Sequence, residues 1–218
     1  MLRLTRAISA PLLSAVVCGC GDGPPVDTKG HTLGEQIAAV HAGTSDRIVV
    51  SDILITDGDL SDLGELPGVK HLEFVRSSIG DQGAEKLTRL PNLEALVLGD
   101  TSITARGLAS IVKLKKLKRL NLGSSQLDNA SLALLPLLPS LENLLIGSRL
   151  IDDAGTPQLG KLGNLKTLIL RDAQITDAGL APLVRLPHLE NLYLSGTKVT
   201  EAGAKVLESR PGLHIHFP

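Results

Sequence analysis

The chain has 218 residues and a formal net charge of −1, which argues against a nucleic-acid-binding protein with a basic surface and against an acidic tail. It contains two Phe, one Tyr and no Trp, so the core has to be built from Leu, Ile, Val and Ala. A core with so little variety of side-chain shape is typical of an internally repeated structure. Both cysteines, Cys18 and Cys20, precede Gly21. The rest of the chain can therefore hold neither a disulfide nor a cysteine-based zinc site.

The first 20 residues have the order of a secretory leader. Arg3 and Arg6 give a positive start, and an apolar segment runs from Ala7 to Val17, as in signal peptides. This segment is too short for a membrane span, which takes roughly 20 apolar residues. Residues 1–20 are therefore predicted to be a signal peptide.

The end of the leader, Val17-Cys18-Gly19-Cys20, resembles a bacterial lipobox, in which a small residue precedes the modified cysteine. The resemblance implies cleavage before Cys20 and acylation of Cys20, with Cys18 as the weaker alternative acceptor. An ordinary secretory signal and an uncleaved anchor are the other interpretations. Loss of residues 1–19 would remove two arginines and no acid, taking the charge from −1 to −3. Attachment to a membrane would then depend on the acyl chains.

Two short segments separate the leader from the body of the chain. Residues 21–31 are rich in Gly and Pro and are predicted to be a flexible tether. Thr32 followed by Glu35 is a capping-box pattern that predicts a helix start, and Gly43 is a stop signal. Residues 32–44 are therefore expected to form a helical cap over the open end of the downstream region.

From residue 45 onward the chain is periodic. The pattern LxxLxL recurs every 24 residues without insertion, which defines seven repeats over 45–212 and a terminal strand at 213–218. Its first positions are Val69, Leu93, Leu117, Leu141, Leu165 and Leu189. Alternating apolar residues predict a short strand with one buried face. The second half of each repeat, as in Ile175 to Leu183, predicts a helical turn. One such unit cannot bury its leucines alone, so stacking is required.

The stretches from Leu165 to Glu190 and from Leu189 to Gly203 resemble the bacterial leucine-rich-repeat proteins with a ribonuclease-inhibitor-like fold. The resemblance implies an α/β fold: a right-handed solenoid, or horseshoe, with a parallel concave sheet and short convex helices over residues 32–218. It also implies a binding or scaffolding role rather than catalysis, with no cofactor and no metal.

Some positions depart from the family pattern. The ninth position usually bonds neighbouring backbones through Asn, Thr or Ser. Ser77, Thr101, Ser125 and Thr197 comply, whereas Arg149 and Ala173 predict an interrupted ladder. Near the end, Arg210 replaces a leucine and the pattern shifts over Leu213 to Phe217, which suits a terminal repeat that faces water.

The outward strand positions are predicted to form a partner-binding surface. At the fifth position, Leu145, Ile169 and Tyr193 follow one another in three repeats and are expected to form an exposed apolar patch of the kind that marks interaction sites. The alternative is that strand propensity alone explains these residues. The remaining candidates are Val97, Asn121, Arg119, Asn143, Thr167 and Asn191, with Val49, Glu73, Arg171 and Asp172 nearby.

Two other sets of residues have simpler explanations than a ligand site. Acids recur one per repeat at Asp57, Asp81, Asp153, Asp177 and Glu201. They are interpreted as helix N-caps and as favourable negative charge at the helix start, rather than as calcium ligands. His214 and His216 alternate along the last strand and are expected on one face. Two histidines make a weak metal site, so an exposed terminal strand is favoured.

No Ser-His-Asp set, phosphate-binding loop or zinc-protease motif is present. The favoured function is a monomeric, lipid-anchored recognition module of the cell envelope that binds a protein partner on its concave face. The alternatives are a self-associating structural envelope protein and, least favoured, an enzyme. Nucleic acid is not expected as a partner.

Overall fold

The computed structural model describes residues 5–6, 32–51, 53–207 and 210–217. Nine strands form one parallel sheet, in the order β1-β11-β10-β9-β8-β7-β6-β4-β2, and two more form a separate short pair. The predictions for the leader cysteines and the tether lie outside the described residues. The strands are β1 (Thr5–Arg6), β2 (Arg47–Val50), β3 (Ile55–Thr56), β4 (His71–Phe74), β5 (Ser77–Ser78), β6 (Ala95–Asp100), β7 (Arg119–Ser124), β8 (Asn143–Gly147), β9 (Thr167–Arg171), β10 (Asn191–Tyr193) and β11 (His214–Phe217).

Short helices connect successive strands of the large sheet. Several are 3-10 helices, and Pro136 and Pro182 lie inside two of them, where proline prevents a regular α-helical ladder. The α-helices are Leu33–His41, Asp81–Leu87, Ala105–Ile111, Thr156–Leu159 and Glu201–Ala204. The 3-10 helices are Asp59–Leu63, Ser131–Leu137, Asp153–Gly155, Asp177–Arg185 and Lys205–Leu207.

One continuous apolar core fills the space between the sheet and the helices. It contains the inward strand residues, such as Leu144 and Leu168, together with helix residues such as Leu108 and Leu183. Leu168 has no exposed surface, and burial of such a side chain contributes roughly 1.5–3 kcal/mol. The predicted leucine-rich-repeat fold is confirmed by this arrangement of parallel strands and short helices around a repeated aliphatic core.

The first helix seals one end of the core. Thr32 accepts from the N–H of Glu35, and the Glu35 carboxylate accepts from the N–H of Thr32 at 2.7 Å, so the predicted capping box is present. Val40 is buried, while Leu33 and Ile37 pack partly buried against the core. The helix ends at His41, followed by Gly43 with φ +69°, a conformation that favours glycine.

The recurring acids join one repeat to the next. Asp81 accepts from the backbone N–H of Thr104 at 2.9 Å and from its hydroxyl at 2.7 Å. Thr104 then accepts from the N–H of Arg106, which makes it the N-cap of its own helix. The expectation that the acids are N-caps was therefore wrong, because the carboxylate reaches across the stack while a threonine caps the helix. The expected negative charge at the helix start is confirmed, since Asp81, Asp177 and Glu201 lie in the first turns of their helices.

The same connection recurs along the solenoid. Asp153 accepts from the N–H and hydroxyl of Thr176 at 2.8 and 2.6 Å, and Asp177 accepts from those of Thr200 at 2.7 and 2.8 Å. Asp57 accepts from the N–H of Gly80 at 2.8 Å. These bonds satisfy donors at the start of each helical segment and fix the spacing of neighbouring repeats.

The glycine at the fifteenth position leaves room for this carboxylate. A Cβ at Gly107 would lie 2.4 Å from Asp81 Oδ1, and one at Gly179 would lie 2.3 Å from Asp153 Oδ1. Both distances are far below van der Waals contact, so a larger residue would displace the inter-repeat bond.

The ninth-position ladder is only partly continuous. Ser77 and Ser125 donate to the carbonyls of Asp100 and Gly147 in the following repeat, at 3.2 and 3.3 Å. Thr197 instead donates within its own turn, to Leu194. Ala173 is buried and has no hydroxyl, so the ladder is interrupted there as predicted.

Arg210 does not simply face water, as expected from the sequence. It is half-buried, and its Nη1 donates to the carbonyl oxygens of Leu186, Leu183 and Val184. Carbonyls at the end of a helix lack intrahelical partners, and a cation there is favourable. Arg210 therefore caps the end of the helix Asp177–Arg185.

Candidate partner-binding surface

Two rows of side chains run across the concave face of the large sheet, perpendicular to its strands. The pairing of neighbouring strands places third-position residues opposite one another, and likewise fifth-position residues. The third-position row is Arg47, His71, Ala95, Arg119, Asn143, Thr167, Asn191 and His214. The fifth-position row is Val49, Glu73, Val97, Asn121, Leu145, Ile169, Tyr193 and His216.

Leu145, Ile169 and Tyr193 form a concave cluster that is separate from the main core. Their alignment on β8, β9 and β10 is as predicted, but their exposure is not: they are 3%, 0% and 4% exposed. The expectation of an exposed patch was therefore wrong. Large side chains at one position of adjacent strands are about 4.8 Å apart, and those on the inner side of a curved sheet converge, so they cover one another.

The ring of His216 extends this cluster. It stacks on Tyr193 with a centroid separation of 4.1 Å and an interplanar angle of 5°. Burial, followed by the positive charge of His214, lowers the pKa of His216, and burial raises the pKa of Tyr193. Both shifts favour the neutral rings and so maintain an uncharged stack.

The stack was not predicted because the 24-residue repeat fails at the last strand. A step of 24 from Tyr193 gives Phe217, whereas the strand pairing places His216 opposite Tyr193. The signal that could have found it is the alternation of His214, Ile215 and His216, which marks Ile215 as the inward residue. The prediction that both histidines lie on one face is confirmed, with His214 exposed and His216 half-buried.

The other end of the concave face is polar. Arg47, His71, Glu73, Arg119 and Asn121 are all half-buried. Burial is the largest cause of the lowered pKa of His71, followed by the charge of Arg47. The fifth-position row therefore changes from mixed at β2 to β7, where Glu73 and Asn121 lie beside Val49 and Val97, to apolar at β8 to β10. The third-position row remains polar at β8 to β10.

Two polar atoms on this face are buried without a hydrogen-bond partner among the residues that the structure describes: His71 Nδ1 and Asn121 Oδ1. Such atoms are rare in folded proteins, and each costs about 1–3 kcal/mol relative to a bonded one. Because both atoms are buried, a partner cannot reach them while the two side chains keep this conformation.

The remaining predicted candidates differ in accessibility. Asn143, Asn191 and Val97 are half-buried, and Thr167 is buried. At the ends of the strands, Arg171 is half-buried and Asp172 is exposed with φ +57°. At β8 to β10, where the concave cluster is buried, the accessible part of the concave face is thus the third-position row, through Asn143 and Asn191.

No metal site accompanies these rows: in the described ranges, no group of three or more His, Cys, Asp or Glu side chains is arranged to hold a metal ion. Within the same ranges, no helix has the length and hydropathy needed to cross a membrane.

Comparisons with known proteins agree with this architecture. A leucine-rich-repeat family model matches residues 163–184, whereas a search of curated proteins found no match. Among solved structures, an internalin (inlF) from Listeria monocytogenes superposes with a TM-score of 0.62 at 20% identity, over 83% of this chain and 49% of the internalin. An internalin C2 (inlC2) from the same species gives a TM-score of 0.63 at 22% identity, over 88% of this chain and 78% of that protein.

The chain thus spans about half the length of the first internalin. Identities near one fifth, combined with these superpositions, establish the architecture rather than the activity. The chain has the leucine-rich-repeat solenoid fold that is also seen in the internalins.

Proposed function

We propose that the chain is a non-catalytic scaffold that binds a protein partner on the concave face of its sheet. The observation that carries the proposal is the third-position row, in which polar side chains such as Asn143 and Asn191 are half-buried and so partly accessible on the concave face.

The layout of the face indicates how a partner is held. The half-buried amides Asn143 and Asn191 stand in the third-position row, where they can donate to and accept from a partner's backbone. The concave cluster lies beside them and is too buried to be the main contact, so it serves as a rigid support. This corrects the sequence-based idea that Leu145, Ile169 and Tyr193 are themselves the contact residues.

The proposal is tested by obstructing the row without disturbing the core. The double variant Asn143→Arg/Asn191→Arg places two long cations where the partner would approach, whereas Lys113→Glu changes an exposed residue just beyond the helix Ala105–Ile111. Immobilised wild-type protein should capture a discrete partner from an envelope extract. The double variant should lose at least about thirtyfold in affinity, equivalent to about 2 kcal/mol.

Lys113→Glu should bind as wild type does, and all three proteins should unfold at the same denaturant concentration. Equal capture by the double variant would show that the partner binds elsewhere. Capture of this chain alone would instead support the self-associating structural role.

We propose also that the chain is held at a membrane, outside the cytoplasm, by acylation of Cys20. What supports this is the sequence Gly19-Cys20 at the end of an apolar leader and the stability that acyl chains give to membrane attachment. Cys20→Ser should move the protein from the membrane fraction to the soluble fraction, and Cys18→Ser should not. The reverse result would assign the acylation to Cys18.

A further inference from the structure

The two edges of the large sheet are covered by different groups. At the edge formed by β2, the side chain of Gln36 takes the place of a neighbouring strand. Its Oε1 accepts from the N–H of Val49 and its Nε2 donates to the carbonyl of Val49, both at 2.7 Å. Gln36 is only 7% exposed. This edge is therefore closed by a side-chain amide, which protects it from pairing with another chain.

At the opposite edge, a strand occupies the corresponding place. The inner side of β11 pairs with β10, and its outer side pairs in parallel with β1, with Thr5 opposite His216 and Arg6 opposite Phe217. The two-residue β1 comes from the far N-terminus of the chain, whereas the repeats and the terminal strand after them supply the remaining strands of the large sheet. The outer edge of β11 thus accepts an extended segment that is not part of the solenoid.

We propose that the outer edge of β11 is a strand-addition site, which binds an extended peptide segment of a partner in parallel register through main-chain hydrogen bonds. Backbone pairing of this kind gives affinity, and alternate side chains give specificity. The four residues His214–Phe217 can pair with a longer segment than the two residues that β1 supplies. A partner strand with more pairing residues can therefore replace β1.

The register also indicates which side chain the site prefers. The residue opposite His216 belongs to the concave face, because His216 is itself paired with Tyr193. His216 and Tyr193 already form a parallel stack at 4.1 Å, and a planar side chain at the next position can continue it. Aromatic pairs of this type add affinity beyond the apolar area that they bury. The expected ligand is an extended peptide with Tyr, Phe or Trp opposite His216.

In the full-length chain β1 is a tethered competitor, and a tethered segment has a high effective concentration. Cleavage before Cys20, as proposed above, would remove β1 and leave the edge of β11 open. The site itself does not depend on that cleavage, because a substitution that weakens β1 has the same effect. Its test also leaves Asn143 and Asn191 unchanged, so either proposal can fail without the other.

The test uses the full chain and the variant Thr5→Pro. The carbonyl of His216 bonds to β10, so its register partner Thr5 is the residue of β1 whose N–H faces β11, and proline removes that donor. The probes are a labelled peptide with the sequence of residues 2–8, the same peptide with Thr5→Tyr, and a form of the Thr5→Tyr peptide that is N-methylated at the peptide groups facing β11, so that it cannot donate hydrogen bonds to that strand. The Thr5→Pro protein should bind the Thr5→Tyr peptide at least about threefold more tightly than wild type does, because the tethered competitor is weakened.

The Thr5→Tyr peptide should bind more tightly than its parent, and the N-methylated peptide should lose binding. Hydrogen exchange should slow at the amides of β11 and stay unchanged at those of β2. Gln36→Ala, which opens the other edge, should leave peptide affinity unchanged. The proposal is overturned if the N-methylated peptide binds equally well, if no peptide binds, or if protection appears at β2.

Discussion

Leu168 and Ile169 are consecutive residues of β9, and neither has exposed surface, yet they belong to different parts of the molecule. Leu168 points into the main core, which runs through all repeats, whereas Ile169 points to the concave side and joins a cluster of three. The comparison shows that one strand can bury both faces for different reasons. The core-facing side of the strand is buried by residues that every repeat contains. Its concave side is buried by large residues that only some repeats contain.

The largest effect is expected in the main core. Leu168→Ala removes a fully buried side chain from a layer that neighbouring repeats enclose on both sides, so little relaxation can fill the space. The free energy of unfolding should fall by about 2–5 kcal/mol. Denaturant melts measure this loss, and Leu144→Ala should lose a similar amount. A loss below about 1 kcal/mol for both would show that the inward register is wrong.

Tyr193→Ala is the matching change in the concave cluster. The ring is 4% exposed and stacks on His216, so its removal should cost about 1.5–3 kcal/mol, less than the loss for Leu168→Ala. This replaces the expectation from sequence that the side chain contributes little to folding. Tyr193→Phe keeps the stack and should retain most of the stability. An unchanged melting curve for Tyr193→Ala would show that the concave cluster is exposed in solution.

Gly179→Ala tests the connection between repeats that both faces depend on. The added Cβ would lie 2.3 Å from Asp153 Oδ1 and 2.8 Å from Ile175 Cγ2, so the carboxylate must leave its place. Overpacking of this kind costs about 1–3 kcal/mol. In a double-mutant cycle with Asp153→Ala, the stability lost by the double variant should be smaller than the sum of the two single losses, because both single variants lose the same inter-repeat bond. Full additivity would argue against the inter-repeat role of Asp153.

A smaller effect on stability is expected from lowering the pH, through His71 at the polar end of the concave face. Burial and the charge of Arg47 lower the pKa of His71 below its ordinary 6.5. The unfolded chain then takes up a proton at a higher pH than the folded chain does, so stability should fall as the pH drops below about 6.5. Melts at pH 7.5 and 5.5 should show this loss, and His71→Gln should reduce it.

The smallest effect is expected outside both faces. The second position of the repeats alternates in charge, and Lys166 pairs with Glu142 at 2.8 Å, with 48% of the lysine side chain exposed. The hydrogen bond and charge of Glu142 raise the pKa of Lys166. Exposed pairs contribute little because water screens them, so Lys166→Ala should leave the free energy of unfolding almost unchanged. A loss comparable to that of Tyr193→Ala would mean that this charge ladder holds the repeats together.

The main core was predictable from sequence because every repeat places apolar residues at the same inward positions. Six or seven aligned leucines leave one possible register, and the capping box at Thr32 and Glu35 fixes the cap in the same way. On the concave face the strand positions recur but the residue types differ from repeat to repeat. The alignment of these side chains could therefore be predicted, but their burial could not. The bonds from Asp81 to Thr104 and from Asp153 to Thr176 join residues 23 apart. A local capping pattern explains such acids equally well until the stack is known.

Site-specific photo-crosslinking tests the central claim, that the concave face holds a protein partner, most directly. A benzophenone amino acid is placed at Asn191, in the third-position row, and in a second protein at Lys113 on the opposite side of the solenoid. Both positions accept a large side chain, since Asn191 is half-buried and Lys113 is exposed. Irradiation of cells that make each variant should give one discrete adduct from Asn191 and none from Lys113. An adduct from Lys113 alone, or from neither position, would contradict the account.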